Sequence, residues 1–555
     1  MSDTDARLQP FVSTGSLSEA DPDADRIICL EQERQTSRLI LIPSQSIAPK
    51  AVHQALASVF AHVDATGYPS LQMTRDELDE VLDYKWQLAR HRRYSNRRRN
   101  RGTEYADMIE TLAARRCAQC FATAQVPAEQ LFVNIQPLSA AAANHAAFKT
   151  LLKPGDTIMG LARTHGGHLT HGRDFGYSGT RYRAVAYESD VSTGQLDYDR
   201  IMEIALAERP RMIIAGYGSY PWAPDWSSFR QICDAVGDCV LLADIPQPAG
   251  MVISGQYPSP IGHADVITMA THTTLCGPRA AAIMTTDQEL AGRLDHAIST
   301  AQPDGPHLSS IAAMAVSFRI AQTDSFRALQ HQIVRNSAHL AEALTQRGVP
   351  LAYGGTNTHL CVADLRGFTG QDGSALNAEV AARILDLCGI TVGTSAIPDD
   401  RSSANANGIA LGTLWLTQRG FTALHLDRLA DIIADTLRSI QPYSPLFSAR
   451  RGTQGKSTLD ALERAKTDTA SLISETMPAT GPDRLTCPHS LLADTGVPAH
   501  DASEKLPTEI TDALEQHPLF LCSDIGLLSV RGQRPAAFLQ HLLTGDVTAL
   551  QPVSR

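Results

Sequence analysis

THGGHLTHG, at residues 164–172, is the stretch that decides the fold of this 555-residue chain. Its paired glycines let the backbone approach a flat ligand closely, and the imidazole of His168 can stack on such a ligand. Two further stretches follow apolar runs: Ala243-Asp244, and THTTLCGPR at residues 271–279. Each stretch alone also fits a glycine turn, a helix cap or a polar loop. Because α/β enzymes place their sites in loops after strands, the three together predict one site.

Outward from these stretches, apolar runs alternate with amphipathic ones between about residues 25 and 442. The predicted strands cover residues 212–215, 240–243, 266–269 and 281–284, and the clearest predicted helices cover residues 226–236 and 337–347. Alternation of this kind favours an α/β fold with a mainly parallel sheet and helices on both faces.

Composition excludes several classes of protein. The chain is 43% hydrophobic and 19% charged, with a net charge of -11, which argues against bulk nucleic-acid binding. No run of about eighteen apolar residues and no apolar leader is present, so a membrane span and a secretory signal are not expected. The ten cysteines are scattered, as in reduced cytoplasmic proteins. Cys117 and Cys120, in a helical run, are predicted to be core residues rather than metal ligands.

The basic residues are distributed unevenly. The seven lysines are Lys50, Lys85, Lys149, Lys153, Lys456, Lys466 and Lys505, so the chain from residue 154 to residue 455 has no side-chain amine. Between Arg90 and Arg101, seven arginines occur without one acidic residue. This arginine cluster fits a clamp for a polyanion, or alternatively a solvated or ion-paired surface.

The motifs resemble those of the serine hydroxymethyltransferases, which are pyridoxal-phosphate enzymes of the aspartate-aminotransferase fold. The resemblance extends from about residue 25 to residue 437, with the motifs in family order. In addition to the stretches above, the motifs include Gly67-Tyr68-Pro69, Gly102-Thr103-Glu104-Tyr105, Asn134-Ile135-Gln136-Pro137, Gly354-Gly355-Thr356 and Leu411-Gly412-Thr413. The resemblance implies a large domain at about residues 100–320, with a mainly parallel sheet, and a small α/β domain at about residues 321–442.

Several positions depart from the family pattern. The lysine that forms the Schiff base falls at Thr273, and a threonine hydroxyl cannot form an imine. The arginine that binds the substrate carboxylate falls at Ala410, and the glutamate of proton transfer falls at Thr66. Gln247 replaces a histidine that contacts the cofactor. Arg99 lies at one of two tyrosine positions, beside an insertion at about residues 70–98. The resemblance therefore implies no catalytic residue that can be assigned here.

The positions that surround the cofactor in the family match its pattern more closely than the catalytic positions do. His168 matches the histidine that stacks on the pyridine ring, and Asp244 matches the aspartate that pairs with its nitrogen. The phosphate loop, Ser139-Ala140-Ala141, lacks the family's second hydroxyl and its glycine. The resemblance implies cofactor contacts at Ser139, His168, Asp244, Gln247 and His272, substrate contacts at Ser44 and Arg99, a matching Arg279, and no metal.

The two ends of the chain are expected to differ from this domain. Residues 1–24 are a predicted flexible N-terminus, and residues 443–518, rich in Ser, Thr and Pro, are a predicted linker with a short helical stretch near residues 459–466. Residues 519–555 resemble the opening of an aminomethyltransferase (glycine-cleavage T-protein) domain, with a strand at about 526–530 and a helix at about 535–543.

Three hypotheses for function remain open at this stage. The first is a pseudoenzyme of glycine, serine and folate metabolism, which is a homodimer or pairs with an active relative. The second is a repurposed enzyme for another one-carbon step, and the third is an active glycine hydroxymethyltransferase. The departures favour the first, with pyridoxal phosphate bound only noncovalently and with an amino acid or tetrahydrofolate as a further ligand. A cytoplasmic protein without nucleic-acid or membrane partners is expected.

Overall fold

The strands alternate with helices along most of the chain. The computed structural model describes residues 15–301, 305–403, 405–444, 453–476, 520–522 and 527–529. The strands are β1 Leu39–Ile40, β2 Phe132–Asn134, β3 Thr157–Leu161, β4 Arg183–Tyr187, β5 Met212–Ala215, β6 Val240–Asp244, β7 Val266–Ala270, β8 Ala281–Thr285, β9 Leu360–Asp364, β10 Ile390–Thr391, β11 Gly393–Ser395, β12 Gly408–Gly412, β13 Gln441–Tyr443, β14 Gln454–Lys456, β15 Phe520–Cys522 and β16 Leu527–Ser529.

The helices cover both faces of the main sheet and build most of the small domain. They are α1 Leu17–Ala20, α2 Pro22–Thr36, α3 Lys50–Leu56, α4 Leu78–Leu82, α5 Tyr84–Tyr94, α6 Glu104–Phe121, α7 Ala140–Leu151, α8 Tyr177–Arg181, α9 Tyr198–Glu208, α10 Trp226–Val236, α11 Ala249–Ile253, α12 Gln288–Ala301, α13 Leu308–Ala321, α14 Asp324–Gln346, α15 Ala378–Leu387, α16 Leu414–Gln418, α17 Ala423–Ser439 and α18 Leu459–Glu475. No helix within the described ranges is both long and apolar enough to cross a membrane.

A seven-stranded sheet organises the large domain, in the order β2-β8-β7-β6-β5-β3-β4. Strand β8 runs antiparallel to both of its neighbours, and the other pairs are parallel. Successive residues face opposite sides, so Met159 and Ile213 join one core while Ile158 and Met212 join the other. The predicted α/β fold with a mostly parallel sheet is confirmed.

The small domain is a second layer of helices on a short sheet. Strands β11, β12 and β9 pair antiparallel in that order, and β1 pairs with β10 in parallel. Helices α14, α15 and α17 cover this sheet through a core that includes Leu340, Leu385 and Ile433, all fully buried. The N-terminal segment thus contributes its strand β1 to the small domain.

Helix formation begins earlier than expected at the N-terminus. Residues 17–20 form α1 and α2 begins at Pro22, both within the segment predicted to be flexible. The carboxylate of Asp21 accepts a hydrogen bond from the backbone N–H of Ala24 at 3.0 Å, and Pro22 occupies the first helical position. An aspartate cap followed by proline is a strong local start signal for a helix. The prediction of a flexible segment rested on its polar, acidic composition and did not use this signal.

Residues 454–476 pack on the small domain, although they lie within the predicted linker. Strand β14 pairs antiparallel with β13, and α18 packs against α17. Leu462, Ala465 and Leu472 are buried on one face of α18. The apolar positions are sparse among Ser, Thr and charged residues, so only the first half of this helix was predicted. At the C-terminus, β15 and β16 form a hairpin at the predicted strand; the helix expected at 535–543 lies outside the described residues.

We predict that Leu472→Ala lowers the free energy of unfolding by about 2–4 kcal/mol, because it leaves a cavity between α18 and α17. Leu472 is 0% exposed, whereas Leu424 on α17 is 68% exposed. Urea unfolding of the full chain measures the effect, and Leu424→Ala is the matched control with little expected change. Equal stability of the Leu472→Ala variant and the parent would show that α18 does not contribute to the folded domain.

Candidate functional site

The candidate site lies at the carboxyl ends of three strands of the parallel part of the sheet, β3, β6 and β7. Asp244 is the last residue of β6, THGGHLTHG follows β3, and THTTLCGPR begins directly after β7. Parallel strands bring their carboxyl ends to one edge of the sheet, so the three stretches border one region. The order of strands therefore positions the site that the sequence predicts.

Asp244 has three side-chain hydrogen-bond partners. Its Oδ2 accepts hydrogen bonds from Nε2 of His171 at 2.8 Å and Nδ2 of Asn144 at 3.0 Å. The hydroxyl of Thr268 lies 3.0 Å from its Oδ1 and 2.6 Å from Oδ1 of Asn144, and can donate to either. Burial alone would raise the pKa of Asp244, but the interactions with His171 and Asn144 outweigh it and lower this pKa. The site thus contains a buried carboxylate that remains ionised at neutral pH.

His168 lies beside this carboxylate as a neutral imidazole. Its Nδ1 is 2.8 Å from the hydroxyl of Thr170, which also accepts a hydrogen bond from Asn144. The rings of His168 and His171 are 5.6 Å apart, edge to face. Burial, reinforced by His171, lowers the pKa of His168 to about 4. The structure therefore brings His168 and Asp244 together, as the resemblance implies.

The ligand atoms of His168, His171 and Asp244 are close enough to bind a metal. One such atom from each residue lies within 4.8 Å of the others. However, the ring of His171 donates directly to Asp244, which also accepts a hydrogen bond from Asn144 and lies within hydrogen-bonding distance of the Thr268 hydroxyl. A carboxylate offers about four lone-pair positions, so these interactions account for the geometry without a metal and leave room for one further donor.

Thr273 fastens two loops to each other. Its hydroxyl is buried, lies 2.5 Å from the carbonyl oxygen of Pro246 and 3.2 Å from that of Gln247, and can donate to either. The neighbouring hydroxyl of Thr274 donates to the carbonyl oxygen of Gln247 at 2.5 Å and accepts from the N–H of Gly250 at 3.0 Å. Both threonines connect the loop after β7 to the loop after β6. Position 273 therefore carries a hydroxyl with a structural role.

Both polar atoms of the Gln247 amide group lie within hydrogen-bonding distance of a partner. Its Nε2 donates to the carbonyl oxygen of Gly218 at 2.6 Å, and its Oε1 lies 3.0 Å from Nε2 of His359. Burial lowers the pKa of His359 to about 4, so the ring is neutral. The side chain assigned to cofactor contact thus joins the loop after β6 to His359, the residue directly before β9.

His272 and Ser139 were both predicted to contact a cofactor. The carbonyl oxygen of His272 accepts a hydrogen bond from Ser46 at 3.0 Å, which brings the half-buried Ser44 loop next to it. Burial, with a smaller contribution from Arg279, lowers the pKa of His272 to about 4. Ser139 caps α7 by accepting from the N–H of Ala142 at 3.2 Å. The side chain of Ser139 is thus engaged with its own helix.

The positions assigned to substrate form other contacts. The hydroxyl of Thr66 donates to Asp64 at 3.0 Å, and the N–H of Arg99 donates to the carbonyl oxygen of Thr66 at 2.9 Å. Ala410 is 4% exposed on β12, where it pairs with Gly393. Within the described residues, no hydrogen bond joins Thr66 or Arg99 to the Asp244 network. Neither a carboxylate-binding cation at 410 nor a proton-transfer acid at 66 is present.

The arginine cluster is partly consumed by ion pairs within the chain. Arg90 pairs with Asp76 at 3.0 Å, Arg97 with Asp295 at 3.1 Å, and Arg98 with Asp107 and Glu110 at 2.6 Å each. The remaining members, Arg92, Arg93, Arg99 and Arg101, are exposed. Ion pairing within the chain therefore accounts for Arg90, Arg97 and Arg98. A clamp for a polyanion could use only the four exposed arginines.

Sequence reasoning missed the partners of the predicted residues. Thr268 is the one polar residue of the buried strand VITMA, and Asn144 is a buried amide in the alanine-rich helix α7. Buried polar side chains need partners, so both positions carry a signal that could have been used. His171 lies within the quoted motif, but its donation to Asp244 depends on the fold of the loop.

Comparisons with known proteins identify the family of this chain. The model of the family described as serine hydroxymethyltransferase matches residues 73–433. The chain is also 38% identical over 435 residues to a protein named serine hydroxymethyltransferase from Leifsonia xyli subsp. xyli (strain CTCB07). That alignment covers 77% of this chain and 92% of the relative.

We predict that the protein loses stability as the pH falls from about 6.5 towards 4. In the folded chain, burial lowers the pKa of His168, His272 and His359 to about 4, whereas an unfolded histidine titrates near 6.5. Below pH 6.5 the unfolded chain therefore binds more protons, and each histidine contributes a loss of about 1 kcal/mol per pH unit.

Urea unfolding at several pH values between 7.5 and 5 measures this slope. His168→Gln should reduce the dependence of the unfolding free energy on pH by about 1 kcal/mol per pH unit, the contribution of one histidine. His296→Gln, at an exposed position, should leave this dependence unchanged. An identical slope in the parent and in His168→Gln would contradict the assignment of a neutral buried imidazole at 168.

Proposed function

The chain belongs to the serine hydroxymethyltransferase family, and we propose that it is a pseudoenzyme of that family. It keeps the shell of the cofactor site but does not transfer a hydroxymethyl group between serine and tetrahydrofolate. The observation that carries this proposal is the hydroxyl of Thr273, which is within hydrogen-bonding distance of the carbonyl oxygens of Pro246 and Gln247. A hydroxyl cannot replace the amine that the family's chemistry requires.

The surrounding sequence supports the same proposal. No lysine occurs between Lys153 and Lys456, so no side-chain amine from that stretch can substitute for the missing one. Ala410 offers no cation to a substrate carboxylate, a loss of about 2–3 kcal/mol of charge-assisted hydrogen bonding. Thr66 is a poor proton-transfer group at neutral pH. These departures concern separate steps, so none of them compensates for another.

The residues fit a pyridoxal ring held noncovalently, but not a covalently attached cofactor. His168 is neutral and suited to contact a ring face, and ionised Asp244 is suited to pair with a protonated ring nitrogen. Bound pyridoxal phosphate supplies an electron sink for amino-acid substrates. In this chain His168 would orient the ring and Asp244 would balance its charge, while Thr273 would provide no attachment. Tetrahydrofolate or an amino acid is the further ligand that the family membership suggests.

The partner proposed for this chain is a second copy of itself or an active relative. The family resemblance places Arg99 in substrate contact and Thr66 at the position of a proton-transfer glutamate, yet no hydrogen bond among the described residues joins either to the Asp244 network. A pseudoenzyme that pairs with an active subunit would support that subunit's fold rather than its chemistry. Repurposed one-carbon chemistry and an active glycine hydroxymethyltransferase remain as outcomes of the experiment.

We predict that the full chain, purified with pyridoxal phosphate and treated with borohydride, acquires no covalent cofactor at any lysine. Intact-mass spectrometry and absorbance spectra measure the result. Thr273→Lys is the matched positive control, because it places an amine beside the same ring site. Asp244→Ala should weaken noncovalent binding of pyridoxal phosphate by at least about tenfold, since it removes the charge that pairs with the ring nitrogen.

Two results would overturn the proposal. One is a borohydride-trapped lysine adduct in the unmodified chain. The other is conversion of serine and tetrahydrofolate to glycine that Asp244→Ala abolishes, since this would show the activity to reside in the chain and not in a contaminant. An adduct confined to Thr273→Lys, without serine turnover, would support it.

A further inference from the structure

A cavity of about 580 Å³ lies at the open edge of the large-domain sheet, away from the Asp244 network. Strand β2 is the edge strand of the sheet and forms the floor of this edge cavity. Helices α6 and α12 form its walls, and residues 71–75 with Arg97, all from the segment predicted as an insertion, stand at its mouth. The volume is in the range of small-molecule sites.

The lining of the edge cavity combines an apolar body with basic groups. Leu71, Leu131, Phe132 and Val133 supply apolar surface. In the wall, Thr111 is 1% exposed, and its hydroxyl has no hydrogen-bond partner among the described residues. A cavity with apolar walls and few polar groups is suited to an amphipathic ligand.

The basic groups of the edge cavity exceed its acidic ones. The charged lining residues are Arg75, Arg97, Arg115, Glu129 and Asp295. Arg97 is neutralised by Asp295 at 3.1 Å. Arg115 is mostly buried, and its nearest carboxylate, that of the exposed Glu77, is 3.6 Å away. A mostly buried guanidinium with one long ion pair favours an anionic ligand group.

We propose that the edge cavity binds a small amphipathic organic anion, with an apolar tail on the β2 floor and a carboxylate against Arg115. The site is separate from the Asp244 network and does not depend on the proposed pseudoenzyme function. Its entrance is formed by Leu71, Thr74, Arg75 and Arg97.

Gly292 offers a clean way to block the cavity. It lines the wall on the same face of α12 as Gln288, Ala291 and Asp295, at helical spacings of three and four. A Cβ added at Gly292 meets no atom within 4 Å. Gly292→Phe therefore places a bulky side chain at the cavity wall from a position where the first added atom meets no neighbour, and Gly292→Ala is the matched control that leaves the space open.

The test is calorimetric titration of the full chain with sodium octanoate, with octan-1-ol and octylamine as charge controls. We expect octanoate to bind with a dissociation constant on the order of 1 mM, and the two controls to bind more weakly. Gly292→Phe should abolish the binding and Gly292→Ala should retain it. Arg115→Gln should weaken octanoate about fivefold without changing octan-1-ol.

Three outcomes would overturn the proposal: no detectable octanoate binding, equal binding of octan-1-ol or octylamine, or octanoate binding that survives in Gly292→Phe. Circular dichroism and urea unfolding establish that each variant is folded. If Gly292→Phe does not fold, Ala114→Leu on the opposite wall replaces it as the blocking variant, with the same expected loss.

Discussion

The buried carboxylate of Asp244 is the constraint on which the rest of the site depends. An ionised group that is 2% exposed would cost several kcal/mol if it lacked partners. Its hydrogen-bond partners come from three separate elements: His171 from the loop after β3, Asn144 from α7 and Thr268 from β7. Satisfying one carboxylate therefore fixes the positions of a helix, a loop and a strand relative to β6.

The features that local pattern determines were predictable from the sequence. Apolar runs four to five residues long mark β5, β6, β7 and β8, because strands buried on both faces need no alternation. The meeting of His168 with Asp244 follows from the parallel sheet, which gathers the carboxyl ends of its strands. Family motifs added the prediction that His168 and Asp244 belong to a cofactor shell, which periodicity alone does not give.

The features that depend on distant partners were not predictable. Gln247 and His359 are 112 residues apart, and neither has a local signal that names the other. Arg98 is buried between Asp107 and Glu110, yet in the sequence it is one arginine among seven. Helix α18 was underestimated because its buried face is spread thinly through polar residues. In each case tertiary packing determines the role, and composition describes only the average of the surrounding segment.

The loop contacts of Thr273 have a consequence for substitution at this position. Lysine at 273 would remove a buried hydroxyl that connects the loops after β6 and β7, and would also place a long charged side chain among backbone carbonyl groups. Positions 246, 247 and 273 are therefore energetically coupled: the effect of a substitution at 273 depends on how the loop after β6 is arranged.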